Sequence, residues 1–141
     1  MPPYSLRRLL WAGPAATLAA ILADVLYYAL TKILGEQYLL PLEGNSSRLG
    51  PLPVLTAILA ILVAGLLASI FFGLLLRFSG SPATVFLSVS ITALMLSFGG
   101  PFDLPSASLR TKILLSGMHL LAAGIITAGI LSISHKDAKV P

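Results

Sequence analysis

Two ionisable side chains, Asp24 and His119, stand inside long apolar runs of this chain. A carboxylate or imidazole in such a place can hold a proton, pair with another polar group or bind a ligand. A charged group at the centre of a bilayer costs about 2.5–3.5 kcal/mol on insertion scales, so it is expected to face a bundle interior or water. Positions four apart share a helix face, and Ala12, Ala16, Ala20, Asp24 and Tyr28 form one stripe that leads to the acid. Lys112, Ser116, His119, Ala123 and Thr127 form a second. Asp24, His119, Ser116 and Tyr28 are therefore the candidates for a ligand or proton site. Asp24 lies ten residues before Leu34, and His119 eight after Thr111, about 15 and 12 Å below the same membrane face at a rise of 1.5 Å per residue. A direct or water-bridged contact between them is allowed, as a structural hydrogen bond or as a working site.

Other chemistry finds little footing. The chain has no cysteine, hence no disulfide, thiolate ligand or thiol nucleophile. The second histidine, His135, follows His119 by sixteen residues, about 24 Å along a helix, so the two cannot share a metal within one chain. No Ser-His-Asp arrangement, paired carboxylates or phosphate-cradling glycine loop is present. The expectation is no enzyme activity, no metal and no cofactor.

The elements that must carry these residues are membrane helices. Hydrophobic residues make up 57% of the 141 residues and charged ones 10%, against about 25% charged in soluble domains; mean hydropathy is +0.96. At about 20 residues per span, the chain is read as a single four-span domain over residues 1–141. The spans are expected at about 9–34, 52–76, 83–98 and 111–133. Arg7 and Arg8 before an apolar stretch resemble a secretory signal, but the stretch runs to about Leu34, too long for one, and is read as a retained first span. Pro14 is placed in its first turn and Gly35 at its end. The segment from Glu36 to Pro53, with Pro41, Gly44, Asn45, Gly50 and Pro51, reads as a loop. Trp11 and Tyr38 fit the interfacial aromatic belt at the two edges of span one.

Small residues recur on each helix. Ala16 and Ala20 in span one, and Gly65, Ser69 and Gly73 in span two, suit close helix packing in lipid. Thr84, Ser88 and Thr92 in span three are expected to face the other helices. The formal charge is +4, yet its cations flank the apolar runs and form no stripe, which excludes nucleic acid as a partner. Four spans put both termini on one side. That side carries Arg7, Arg8, Arg77, Lys136 and Lys139 against Lys32, Arg48, Arg110 and Lys112, while Glu36, Glu43 and Asp103 fall on the other. The bias predicts cytoplasmic termini.

Gly50-Pro51-Leu52-Pro53, Leu75-Leu76-Arg77-Phe78, Pro82 with Phe86, Leu96 through Pro101 and Met118-His119-Leu120-Leu121-Ala122-Ala123 together resemble a family of small four-span bacterial membrane proteins without an assigned activity. The resemblance covers nearly the whole chain. It implies the four-span topology, points at His119 and Pro101, and implies a polar residue, often an amide, at the position of Asp24.

The sequence therefore predicts an all-α, four-helix transmembrane bundle in the cell membrane, with the lipid bilayer and either itself or other membrane subunits as partners. A non-catalytic structural or accessory subunit is the leading expectation. A small channel or transporter using Asp24 and His119, and a binder of a lipophilic ligand such as a quinone or lipid, are the alternatives.

Overall fold

The computed structural model describes residues 4–42, 45–105 and 107–135; Glu43, Lys136 and Lys139 of the charge pattern lie outside the described residues. Apolar stretches in a medium without water must close their own backbone hydrogen bonds, and these do so as helices. They are α1 (Leu6–Ile33), α2 (Val54–Phe78), α3 (Pro82–Ser97), the single turn α4 (Gly99–Phe102) and α5 (Leu109–Ser134). α3 and α4 form one apolar element of 21 residues, so four helices are long and apolar enough to cross a membrane. The helices pack together with α1 against both α2 and α5.

Leu10, Trp11, Leu18, Leu22 and Leu26 of α1 are exposed, whereas Ala12, Ala16 and Ala20 are buried. Large side chains thus point outward and small ones inward, the arrangement expected where helix contact, not exclusion of oil from water, holds a bundle. Aromatic rings fill one end: Phe72 and Phe86 are buried with centroids 4.9 Å apart, and Tyr4 meets Phe72 edge-on at 5.4 Å. At that end Tyr4 and His135 form an isolated bridge, Ser5 N–H donates to Ser134 O at 3.0 Å, and Arg8 donates to His135 O at 2.6 Å. The two ends of the described chain therefore lie together.

The structure corrects several expectations. The segment after α1 is a hairpin, not an irregular loop: β1 (Leu39–Leu42) pairs antiparallel with β2 (Asn45–Pro51), with Leu39 opposite Pro51 and an irregularity between Pro41 and Leu42. Proline and glycine are tolerated because this two-stranded ribbon has only edges, where a missing N–H costs no ladder bond. Pro14 lies inside α1 because the helix begins at Leu6; its ring is exposed, and the carbonyl one turn back loses its intrahelical donor. Span three continues past Ser97 through α4, with Phe98 keeping right-handed helical angles. Thr84, Ser88 and Thr92 are exposed instead of facing the bundle; Thr92 Oγ1 returns its proton to Ser88 O at 3.0 Å. α3 is anchored by Pro82 and Phe86, and that anchoring rotates the polar stripe outward.

Candidate functional site

Two seams set the position of Asp24. Along the first, Gly13 faces Ser69 and Thr17 faces Gly65 between antiparallel α1 and α2; a Cβ at Gly65 would lie 2.8 Å from Thr17 Cβ. Thr17 and Ser69 satisfy their own hydroxyls on Gly13 O and Gly65 O at 2.8 and 2.7 Å, so neither leaves a polar atom orphaned. Along the second, between α1 and α5, a Cβ at Gly129 would stand 2.5 Å from Ala16 Cβ, and one at Gly117 would stand 2.6 Å from Tyr27 Oη. At Gly129 only glycine permits such approach, whereas at Gly117 the obstructing atom is the far end of the Tyr27 side chain. Ala20 is wholly buried on the same stripe, and Gly73 makes ordinary contact with Leu9, 3.4 Å from where its Cβ would be. The expected packing residues Ala16, Ala20, Gly65, Ser69 and Gly73 thus lie in helix contacts inside the chain.

Asp24 continues the alanine stripe between the two α1–α5 close points. It is 3% exposed, and its Oδ1 has no hydrogen-bond partner among the described residues. It lines a cavity of about 430 Å³ bounded by α2, α3 and α5. The cavity occupies the half of the bundle nearer the hairpin, with Leu52 at its rim. Its wall is mostly alanine, leucine and isoleucine, with Thr56, Ser90, Ser97 and Thr127 as hydroxyls.

His119 lines the same cavity. Its Nδ1 lies 2.9 Å from Leu115 O. A carbonyl only accepts, so in the neutral ring Nδ1 carries the proton and Nε2 is left as an acceptor. No hydrogen bond or ion pair joins Asp24 to His119 among the described residues. The structure therefore places the two in one cavity without a hydrogen bond or ion pair between them. Ser116 and Tyr28 do not line it. Ser116 Oγ donates to Lys112 O at 2.9 Å, and Tyr28 Oη donates to Leu52 O at 3.2 Å beneath the hairpin. A larger space, about 670 Å³, is an apolar furrow on the α1–α2 seam with Arg7 at one end.

Sequence reasoning missed a polar cluster under the hairpin. α1 ends in a Schellman turn: Glu36 N–H donates to Thr31 O and Gly35 N–H to Lys32 O, each at 3.0 Å, with Gly35 at φ 91°. The turn buries Glu36, whose Oε1 accepts from Thr111 Oγ1 at 2.7 Å and from Tyr38 N–H at 3.2 Å, while Oε2 lies 3.4 Å from Arg110 Nε. Ser108 caps α5 by accepting from Thr111 N–H at 3.0 Å.

Tyr38, expected as an interfacial anchor, is fully buried at φ 47°. Thr31 gives its proton to the carbonyls of Tyr27 and Tyr28, so Tyr38 Oη donates to Thr31 Oγ1 at 2.6 Å. Burial pushes the Tyr38 phenol pKa up, and the Thr31 bond opposes this less strongly. The available signal was adjacency: Glu36 follows a helix-ending glycine, and Arg110 and Thr111 open the helix that returns to the same face. These groups fasten the ends of α1 and α5 and form the floor of the hairpin. No group of three or more metal-capable side chains occurs among the described residues.

Residues 4–135 match the model of a family of unknown function, DUF6069, and the chain belongs to that family. No curated protein and no solved structure matches it.

Proposed function

We propose that this chain is a non-catalytic, multi-pass membrane protein with both termini in the cytoplasm, and that its bundle holds a small lipophilic ligand in the cavity beside Asp24. One observation carries the reading: Asp24, 3% exposed and with its Oδ1 unpartnered among the described residues, stands in the wall of an apolar cavity of about 430 Å³. An unsatisfied buried acceptor costs about 1–3 kcal/mol, and a ligand that supplies a donor recovers that cost. The cavity lies within the range of small-molecule sites, roughly 300–1,000 Å³. It has nearly three times the roughly 150 Å³ of an engineered cavity that takes benzene, so it suits a ligand on the order of 15–20 non-hydrogen atoms.

The small residues that suggested an accessory subunit make contacts between α1 and α2 and between α1 and α5 within the chain, while an apolar furrow lined by Gly65, Ser69 and Gly73 stays open along the α1–α2 seam. The test is native mass spectrometry of the protein gently extracted from its own membrane, beside Ala64→Phe, which fills the cavity wall. A co-purifying small molecule lost in the filled variant is the expected result. Protein that carries no small molecule and takes up no lipophilic probe would overturn the reading. A second reading, a small channel or transporter, rests on Asp24 and His119 lining one cavity; flux in liposomes that is lost in both Asp24→Asn and His119→Ala would favour it.

A further inference from the structure

We propose that the cavity selects a lipophilic amine, bound as its ammonium ion; the inference rests on the ligand-binding reading above and names the chemistry of the ligand's polar group. The polar groups of the wall point to that class of ligand. As a carboxylate Asp24 only accepts; its Oδ1 has no partner among the described residues, and the residue is 3% exposed. In the neutral ring, His119 has committed its Nδ1 proton to Leu115 O at 2.9 Å, so Nε2 accepts. Ser97 donates to Leu94 O at 2.7 Å, which leaves lone pairs on its oxygen.

Thr56, Ser90 and Thr127 contribute hydroxyls, which accept as readily as they donate. No lysine, arginine, tryptophan or amide side chain stands among the described residues of the wall. The backbone N–H groups there belong to helices and are spent on helix bonds, apart from Leu52, whose N–H donates to Tyr38 O at 3.0 Å. The nearest lysine on α5, Lys112, points away and donates to Phe102 O at 2.9 Å.

With Asp24 ionised and His119 neutral, the cavity is acidic and rich in acceptors, and no lysine or arginine stands among the described residues of its wall. An anionic ligand would meet like charge in a low-dielectric space. A neutral alcohol brings one donor. A primary ammonium brings three donors and the compensating charge, and an alkyl amine, with a pKa near that of lysine at about 10.4, is charged at neutral pH. The apolar wall accepts the tail. Ala60, Ala64 and Ala93 are exposed where they line the space, so the cavity is open at its side.

The experiment titrates the full chain, in maltoside micelles, with three probes of one chain length: dodecylamine, 1-dodecanol and dodecanoate. Bound fractions are read by native mass spectrometry. The amine is expected to bind about tenfold or more tightly than the alcohol, and dodecanoate weakest, because a site built for a donor discriminates strongly against ligands that lack it. Asp24→Asn is expected to bring amine and alcohol within about twofold of each other while alcohol binding persists. Equal binding of amine and alcohol by the unaltered protein would overturn the amine inference and leave the cavity reading standing. Binding of none of the three would remove both. If Asp24→Asn does not fold, the ratio in the unaltered protein decides alone.

Discussion

Gly129 and Gly124 lie on the same helix, and substituting each by alanine isolates what the α1–α5 seam contributes. At Gly129 the new methyl would stand 2.5 Å from Ala16 Cβ and 3.3 Å from Ala16 Cα. Comfortable carbon contacts are about 3.5–4.0 Å, so the helices must part by about 1 Å, and the obstructing atoms are a methyl without rotamers and the backbone itself. Overpacking of this kind costs about 1–3 kcal/mol, from which the helix preference of alanine over glycine returns about 1 kcal/mol. At Gly124 nothing lies within 4 Å, so only the helix preference acts, a gain of up to about 1 kcal/mol. The two variants should differ by about 1–3 kcal/mol, with Gly129→Ala the less stable. The assay is thermal unfolding of the purified chain in micelles, read as the fraction that remains monodisperse after heating. A Gly129→Ala protein that melts at or above Gly124→Ala would refute the close seam and the placement of Asp24 that depends on it.

Asp24→Leu should raise the melting temperature of the ligand-free protein, since it removes an unsatisfied buried acceptor worth about 1–3 kcal/mol, while abolishing amine binding; a lower melting temperature would mean that Asp24 has a structural partner. Glu36→Ala should cost about 2–3 kcal/mol by leaving Thr111 and the Tyr38 N–H without their acceptor, whereas Glu36→Gln keeps an acceptor and should cost less than half as much. The Arg110 contact adds little because that side chain is 61% exposed. Equal losses in the two variants, measured in the same assay, would show that the charge and not the hydrogen bonds holds the cluster. Tyr38 makes stability depend on alkaline pH: its folded pKa is raised, so its contribution is full below the unfolded value of about 10 and is lost as pH rises through the folded value. Tyr38→Phe should flatten that alkaline loss in a pH series of melts; an unchanged slope would point to other groups.

Much of the fold was legible because lipid leaves the chain few options. Four apolar runs of adequate length must be helices, and the stripe of Ala12, Ala16 and Ala20 marks the buried face of α1 because small side chains permit close approach. The same rule failed for Thr84, Ser88 and Thr92, where spacing identified a real stripe but could not say which way it faced. The Phe86 anchor decided that. The hairpin was hidden by Pro41 and Pro51, residues that read as loop and are equally at home in a ribbon with only edges. Glu36 escaped notice because a carboxylate beyond the end of an apolar run is ordinarily solvated; burial came from the Schellman turn and from Arg110 and Thr111, residues more than seventy positions later.

By itself the sequence determined the helices, their small-residue faces and the two ionisable groups within them, since length, hydropathy and four-residue spacing are local properties of the chain. Only the tertiary structure decided that Asp24 and His119 share a cavity without a hydrogen bond or ion pair between them among the described residues, that Ser116 and Tyr28 lie outside it, and that its wall carries no lysine or arginine among the described residues. Those facts depend on how far each helix is rotated and how closely it approaches its neighbours. Contacts between distant residues, such as Ala16 with Gly129 and Thr17 with Gly65, set both quantities.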